Sequence, residues 1–355
     1  MVLNAAIAIT AFIIAFLILP VIIKYSFQKN LVDTPGRRKI HAKETPRLGG
    51  IAVFMGFLVG LLVWMEYNEI PNVKYRLASL GAMFFLGVRD DLVPLKATHK
   101  LLGQIIAAFI LVHLADIRLT SLYGIFGYTD YLPMWVSYIL SIFTLIIIIN
   151  SFNLIDGLDG LAGTLACVSL LFFGIWFYLT GDIYFSILSF AMFGSLLAFM
   201  IFNWEPADIF MGDAGALLLG LLLGMMAIKF IDTNYYLPAD DPYRFNASVS
   251  AGVCAIVIPL IDTARIIILR LLKKQSPFSP DKSHIHHGLM RMGMGHAQVA
   301  ITLGLVHLGF LAVLFILKPL PDKFMLPIII IIAISLSASL DRLIIKRLSK
   351  RPNNL

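Results

Sequence analysis

Five aspartates are spaced so that together they could hold a cation or a phosphate. Asp90 and Asp91 are adjacent, and at a helix end their carboxylates diverge by about 100°. Asp156 and Asp159 stand three apart, on one face of a helical turn. Asp213 lies where an apolar stretch begins, a favourable place for an anion. Each acid alone has a plainer reading, as a helix cap or a solvated loop end. As a group they need more, because close like charges destabilise one another unless a cation or substrate compensates. Magnesium is the expected cation: it takes oxygen ligands, often one or two carboxylates plus substrate phosphates.

A second cluster is His284, His286 and His287, flanked by Lys282, Lys273, Lys274 and Arg270. Imidazoles suit zinc, but no cysteine is near and the basic company favours contact with a phosphate or leaving group; a structural surface role and a transition metal stay open. Gly157, Gly160, Gly163 and Gly212 allow close backbone approach at helix starts, where free N–H groups can receive phosphate or a carbonyl. Glycine is also simply common in membrane helices. No complete phosphate-loop or dinucleotide motif is present. Asp262 and Arg265, at i and i+3, form either a plain ion pair or a functional pair inside the membrane. His113 and His307 lie alone in apolar stretches and are expected to be satisfied by neighbours, whereas His41, His99 and His296 carry no assignment.

The elements that position these residues are membrane helices. The chain has 355 residues, 59% hydrophobic and 14% charged, against roughly 45–50% and roughly 25% in soluble domains. A soluble globule could not hide that excess. A span takes about 20 apolar residues, and eleven stretches qualify: 4–24, 48–66, 75–88, 101–115, 134–150, 161–179, 183–202, 214–231, 247–270, 298–317 and 324–343. What remains is too little for a soluble domain. The first stretch reads as a retained span rather than a signal peptide. Cys167 and Cys254 both fall in apolar stretches, so neither a disulfide framework nor a Cys-based metal site is suggested. Runs such as Leu145 to Ile149 lack the alternation of a β-barrel.

The loops after spans 1, 3, 5, 7 and 9, with the C-terminal tail, carry 20 of the 28 Lys and Arg residues, against 6 on the other side. The bias puts the first side in the cytoplasm, the N-terminus outside and the C-terminus inside. The net charge of +7 is then a positive cytoplasmic face that attracts anionic lipid heads and phosphorylated substrates. The clusters 87–92, 150–160, 203–213 and 281–287 all open on that face.

Those clusters, together with Leu31–His41 and Pro46–Gly50, resemble the polyprenyl-phosphate N-acetylhexosamine-1-phosphate transferases, of the WecA/TagO and MraY types. The segments Asn153–Gly160 and Phe210–Asp213 are the most specific part of the likeness, which runs in order along nearly the whole chain. The resemblance implies an all-α polytopic membrane enzyme, a single transferase domain over 1–355 of ten or eleven helices. Its active site would lie on cytoplasmic loops 24–47, 87–100, 150–161, 203–213 and 270–297. Such an enzyme moves a sugar-1-phosphate from a UDP-sugar onto a polyprenyl phosphate, releases UMP and uses Mg2+, with Mn2+ as a substitute.

Carried over by position, Asp213 would be the magnesium ligand, with Asp90 and Asp91 serving catalysis and metal binding and Asp156 supporting the network. Asn153, Asp159, Asn203 and Phe210 would bind substrate, Asp159 accepting from the uracil imide and Phe210 lying beside the ring. Arg265, Lys39 and His41 join them as substrate contacts, and His284, His286 and His287 would meet the sugar phosphate or diphosphate. The segment Ser276–His287 looks like the GlcNAc-1-phosphate branch. The implied partners are UDP-GlcNAc, undecaprenyl phosphate and membrane lipids, with a homodimer as one assembly and no nucleic acid. The place would be the first membrane step of a cell-envelope glycan pathway, of lipopolysaccharide or teichoic-acid type, in the inner membrane. The rival donors are another UDP-N-acetylhexosamine and UDP-MurNAc-pentapeptide. A transporter or a membrane phosphohydrolase is the alternative of another class, but transport sites lie near the midplane on broken helices, not at one face.

Overall fold

The structure is a computed structural model and describes residues 1–33, 44–66, 71–272, 274 and 284–349. Lys39 and His41, and the lysines at 273 and 282, lie outside the described residues. The described chain is helical: α1 (Val2–Gln28), α2 (Gly49–Trp64), α3 (Val73–Leu92), α4 (Ala97–Phe109), α5 (Met134–Ile155), α6 (Leu161–Leu179), α7 (Ile183–Asn203), α8 (Gly212–Tyr236), α9 (Ser248–Cys254), α10 (Val257–Leu272), α11 (Ile285–Arg291), α12 (His296–Ile316) and α13 (Asp322–Ser349). A π-helical turn, Ile110–Leu114, extends α4. A two-stranded antiparallel ribbon joins β1 (Val32–Asp33) to β2 (Thr45–Pro46), with Val32 opposite Pro46 and Asp33 opposite Thr45. Helices dominate because a segment in hydrocarbon must satisfy its own backbone groups.

Among the described residues, eight helices are long and apolar enough to cross a membrane, or nine if α9 and α10, bent by 88° at their junction, make one span. The protein is thus an all-helical polytopic membrane protein, whose described residues hold fewer full-length spans than the eleven expected. Two expected spans fall short for physical reasons. The helix α2 has 16 residues, roughly 24 Å at 1.5 Å per residue against a hydrocarbon core of about 30 Å. The helix α3 is long enough but carries Lys74, Arg76, Arg89, Asp90 and Asp91 at its two ends.

The helix α8 is the axis of the molecule. Its apolar stretch is 94% buried, packed by α2, α3, α5, α6 and α9, whereas that of α13 is only 11% buried. Small residues permit this crowding, as in membrane helix pairs generally. A Cβ on Gly87 of α3 would lie 2.4 Å from the Ala214 Cα of α8, so the two helices touch backbone to backbone one turn from the acids.

The bend at α9–α10 has its polar groups provided for. His307 Nε2, on α12, lies 3.1 Å from the carbonyl oxygens of both Cys254 and Ala255, and Asp322 of α13 accepts from Ser250 N (2.7 Å) and Val249 N (3.1 Å) at the start of α9. His307 is therefore partnered at Nε2, while its buried Nδ1 has no hydrogen-bond partner among the described residues, short of the expectation that neighbours satisfy it; His113 Nδ1 lies 3.1 Å from the Tyr138 hydroxyl.

Candidate active site

The ends of α3, α5 and α7, the start of α8 and the segment before α2 converge on one cavity of about 300 Å³. Its wall includes Asp91, Asn153, Asp156, Asp159, Asn203, Phe210 and Asp213, seven residues that stand up to 122 positions apart in the chain. Arg47, which carried no expectation of its own, also lines it.

Gly212, with φ +69°, opens α8, and a Cβ there would lie 2.1 Å from the Arg47 carbonyl oxygen and 2.7 Å from an Asp91 oxygen. Only glycine lets the chain turn that tightly. Asp91 then caps the helix: Oδ1 accepts from Asp213 N at 2.8 Å and Oδ2 from Ala214 N at 2.9 Å. The plainer reading of a lone acid, a helix cap, is what Asp91 does here, and both its oxygens are engaged in doing it. The carboxylate of Asp213 is left to the cavity, where Asn153 Nδ2 donates to its Oδ1.

Asp90, one residue earlier, faces elsewhere. Its Oδ1 accepts from Leu95 N at 2.6 Å, and its Oδ2 lies 3.0 Å from Lys100 Nζ, which is also 2.8 Å from Asp213 Oδ2. Lys100 thus bridges two carboxylates from α3 and α8. Sequence reading passed over it: ten residues beyond Asp90, it was one basic residue among many, and only the packing of α4 against α3 brings it in.

Asp156 follows the last residue of α5. Burial, and then the negative charges of Asp213, Asp91 and Asp159, push its carboxyl up to about 8. The local field therefore calls for positive charge. The donor set fits a hard cation such as magnesium: all oxygen, with Asp90 and Asp213 already sharing one ammonium and ligand positions left for phosphates and water.

The opposite wall is braced rather than charged. Asn203 Oδ1 accepts from Gly160 N (2.9 Å) and its Nδ2 donates to Ile209 O (2.8 Å), which ties the two loops together. Phe210 N donates to Pro46 O (2.7 Å) and Gly49 N to Phe210 O (2.9 Å), which anchors the segment before α2. Asp159 Oδ2 accepts from Ala207 N (3.2 Å) and lies 3.3 Å from His296 Nδ1. His296 thereby gains the place that its isolation in the sequence hid.

The histidines form a packed group beside the cavity, His284 stacked on His286 and His287 tilted against them. The rings of His284 and His286 are 5.2 Å apart and those of His286 and His287 4.4 Å. His286 Nε2 would be 3.1 Å from a Cβ on Gly157, at the rim. Burial holds His286 down to about 3, so it is neutral near pH 7 and offers a phosphate an N–H rather than a charge. Arg265 Nη2 lies 2.6 Å from Asp341 Oδ1 on α13, and neither it nor the three histidines line the cavity itself.

The family model described as "Glycosyl transferase family 4" matches residues 74–231. A Bacillus subtilis (strain 168) protein named as a probable undecaprenyl-phosphate N-acetylglucosaminyl 1-phosphate transferase is 32% identical over 317 residues, covering 87% of this chain and 85% of its own. Two proteins named undecaprenyl-phosphate alpha-N-acetylglucosaminyl 1-phosphate transferase, from Yersinia pestis and Escherichia coli (strain K12), are 31% and 30% identical, each over 82% of this chain and 78% of its own.

Proposed function

The chain belongs to glycosyl transferase family 4, the membrane phosphoglycosyl transferases that use polyprenyl phosphates, and from that premise we propose that it transfers GlcNAc-1-phosphate from UDP-GlcNAc to undecaprenyl phosphate, releasing UMP. One observation carries the reading: acids from the end of α3, the α5–α6 connection and the start of α8 line a single cavity with Phe210 and the bracing amide of Asn203. Relatives named for GlcNAc-1-phosphate transfer, at about 30% identity, support the choice of donor. The basic bias of the loops supports a cavity open to the cytoplasm, at the inner membrane, where a water-soluble donor meets a lipid acceptor.

In the reaction, an oxygen of the lipid phosphate attacks the β-phosphorus of the donor in line. The bond between that phosphorus and the oxygen bridging to the α-phosphorus breaks, and UMP leaves with the bridging oxygen. A phosphate monoester has a second pKa of about 6, so most of the acceptor is already dianionic near pH 7. Asp90 then needs chiefly to orient the acceptor and take its residual proton. Lys100 offsets the charge of two polyanions brought together. Asp159 accepts from the uracil imide, Phe210 lies beside the ring, and Asn203 fixes the loops that hold both. His284 and its neighbours meet the sugar diphosphate. Asp213 and Asp90 would hold Mg2+, with Mn2+ able to replace it; when bound, the ion supplies charge neutralisation on the diphosphate.

The test is purified protein with UDP-GlcNAc, UDP-GalNAc and UDP-MurNAc-pentapeptide in parallel, with UMP release and lipid-linked product as readouts. Fastest turnover with UDP-GlcNAc, dependent on undecaprenyl phosphate and Mg2+, is expected. Preference for another donor would overturn the specificity. A phosphorylated enzyme trapped from donor alone would replace direct attack by a two-step route.

A further inference from the structure

Asp262 is a buried acid on a largely apolar helix. It lies on α10, 1% exposed, and an ionised carboxylate in such surroundings is costly unless each oxygen is paired. Its Oδ1 accepts from Ile285 N at 2.8 Å, and its Oδ2 lies 2.7 Å from His284 Nδ1. Those partners are 22 and 23 residues further on, so one side chain holds both the backbone and the ring of the histidine segment. The separation of 2.7 Å is a hydrogen-bond length; two ligands of one tetrahedral zinc, each about 2.0–2.1 Å from the metal, stand about 3.3 Å apart.

We propose that Asp262 is a positioning residue of the transfer reaction, which fixes the His284 ring by accepting its Nδ1–H, so that Nε2, the acceptor nitrogen in the free enzyme, takes up a proton as the donor binds and donates it as an N–H to a diphosphate oxygen. A carboxylate only accepts, so the shared hydrogen belongs to the imidazole, and the tautomer follows from the bond its other nitrogen makes. The stack then transmits the placement: His284 lies on His286, and His286 reaches the Gly157 rim of the cavity. The proposal rests on the reading that His284 meets the diphosphate.

Long-range 1H–15N spectra of the full chain with 15N-labelled histidine test it, with His284 assigned by the signal lost in His284→Asn. The wild-type ring is expected to show Nδ1–H, and Asp262→Asn to shift it towards Nε2–H while lowering kcat/KM for UDP-GlcNAc roughly 10-fold to 100-fold, as removal of an orienting partner does. The double variant is expected to lose no more than His284→Asn alone. An Nε2–H tautomer in the wild type, a measurement that needs no variant to fold, would overturn the proposal; so would an unchanged tautomer in Asp262→Asn or fully additive losses. Undiminished turnover in His284→Asn would instead remove the diphosphate reading, and it is scored separately from the spectrum.

Discussion

At the acid end of the cavity, α3 and α8 meet so closely that no side chain fits between Gly87 and Ala214, and Asp91 clamps the first N–H groups of α8. At the histidine segment, α10 and α11 are joined across 22 residues through the carboxylate of Asp262. Both ends use an aspartate to seize a backbone start, but the first is backed by backbone contact and the second by a side chain. The acids must hold a fixed spacing if two of them are to share one cation. The histidines need only an orientation, which a hydrogen bond can give.

The contrast can be broken at its strong end first. Asp213→Ala removes a carboxylate that Asn153 and Lys100 both address, and Mg2+-dependent UMP release is expected to fall on the order of 10³-fold, as loss of a charge-stabilising group does. Retained activity would take Asp213 out of the cation site. Gly87→Val forces α3 off α8; overpacking of this kind costs about 1–3 kcal/mol, and the thermal midpoint and UMP release should drop together. A variant with a normal midpoint and normal turnover would show that the acid spacing is not set by that contact.

Asp159→Ala probes the braced wall. It should raise the KM for UDP-GlcNAc roughly 10-fold to 100-fold, the scale of a lost hydrogen bond to a charged group, and leave the KM for undecaprenyl phosphate in place. Equal losses on both substrates would remove its uracil role. The smallest effect is a pH dependence. With its carboxyl at about 8, Asp156 is protonated near pH 7 and gains its charge as pH rises through 8. The apparent affinity for Mg2+ should therefore climb between pH 7 and 9 and flatten in Asp156→Asn. A wild-type affinity that falls over that range would contradict the sign.

Much of this was open to inspection in the sequence. Apolar length announced the helices, and the polar breaks after α3, α5 and α7 announced the cavity, because acids and amides at span ends have few other uses. What stayed hidden depends on contacts across the bundle. Nothing local separates Asp90 from Asp91; the start of α8, 122 residues on, decides which one caps. Lys100 had no spacing signature, and Arg265 is claimed by Asp341, 76 residues away. Helices apolar on every side give no face to read, so neither the central place of α8 nor the 88° bend between α9 and α10 could be foreseen.

That bend has a further consequence. With the Cys254 and Ala255 carbonyls both addressed by His307, straightening the chain into one helix would take both from that buried ring, and Ala255 would meet only Pro259, which has no N–H, four residues on. The junction is an elbow locked from behind, and α10 is the forearm that carries Asp262 and, through it, the histidines. The gap between histidines and acids is then a gauge length built into the scaffold, and His307, which braces the elbow, does so from outside the cavity.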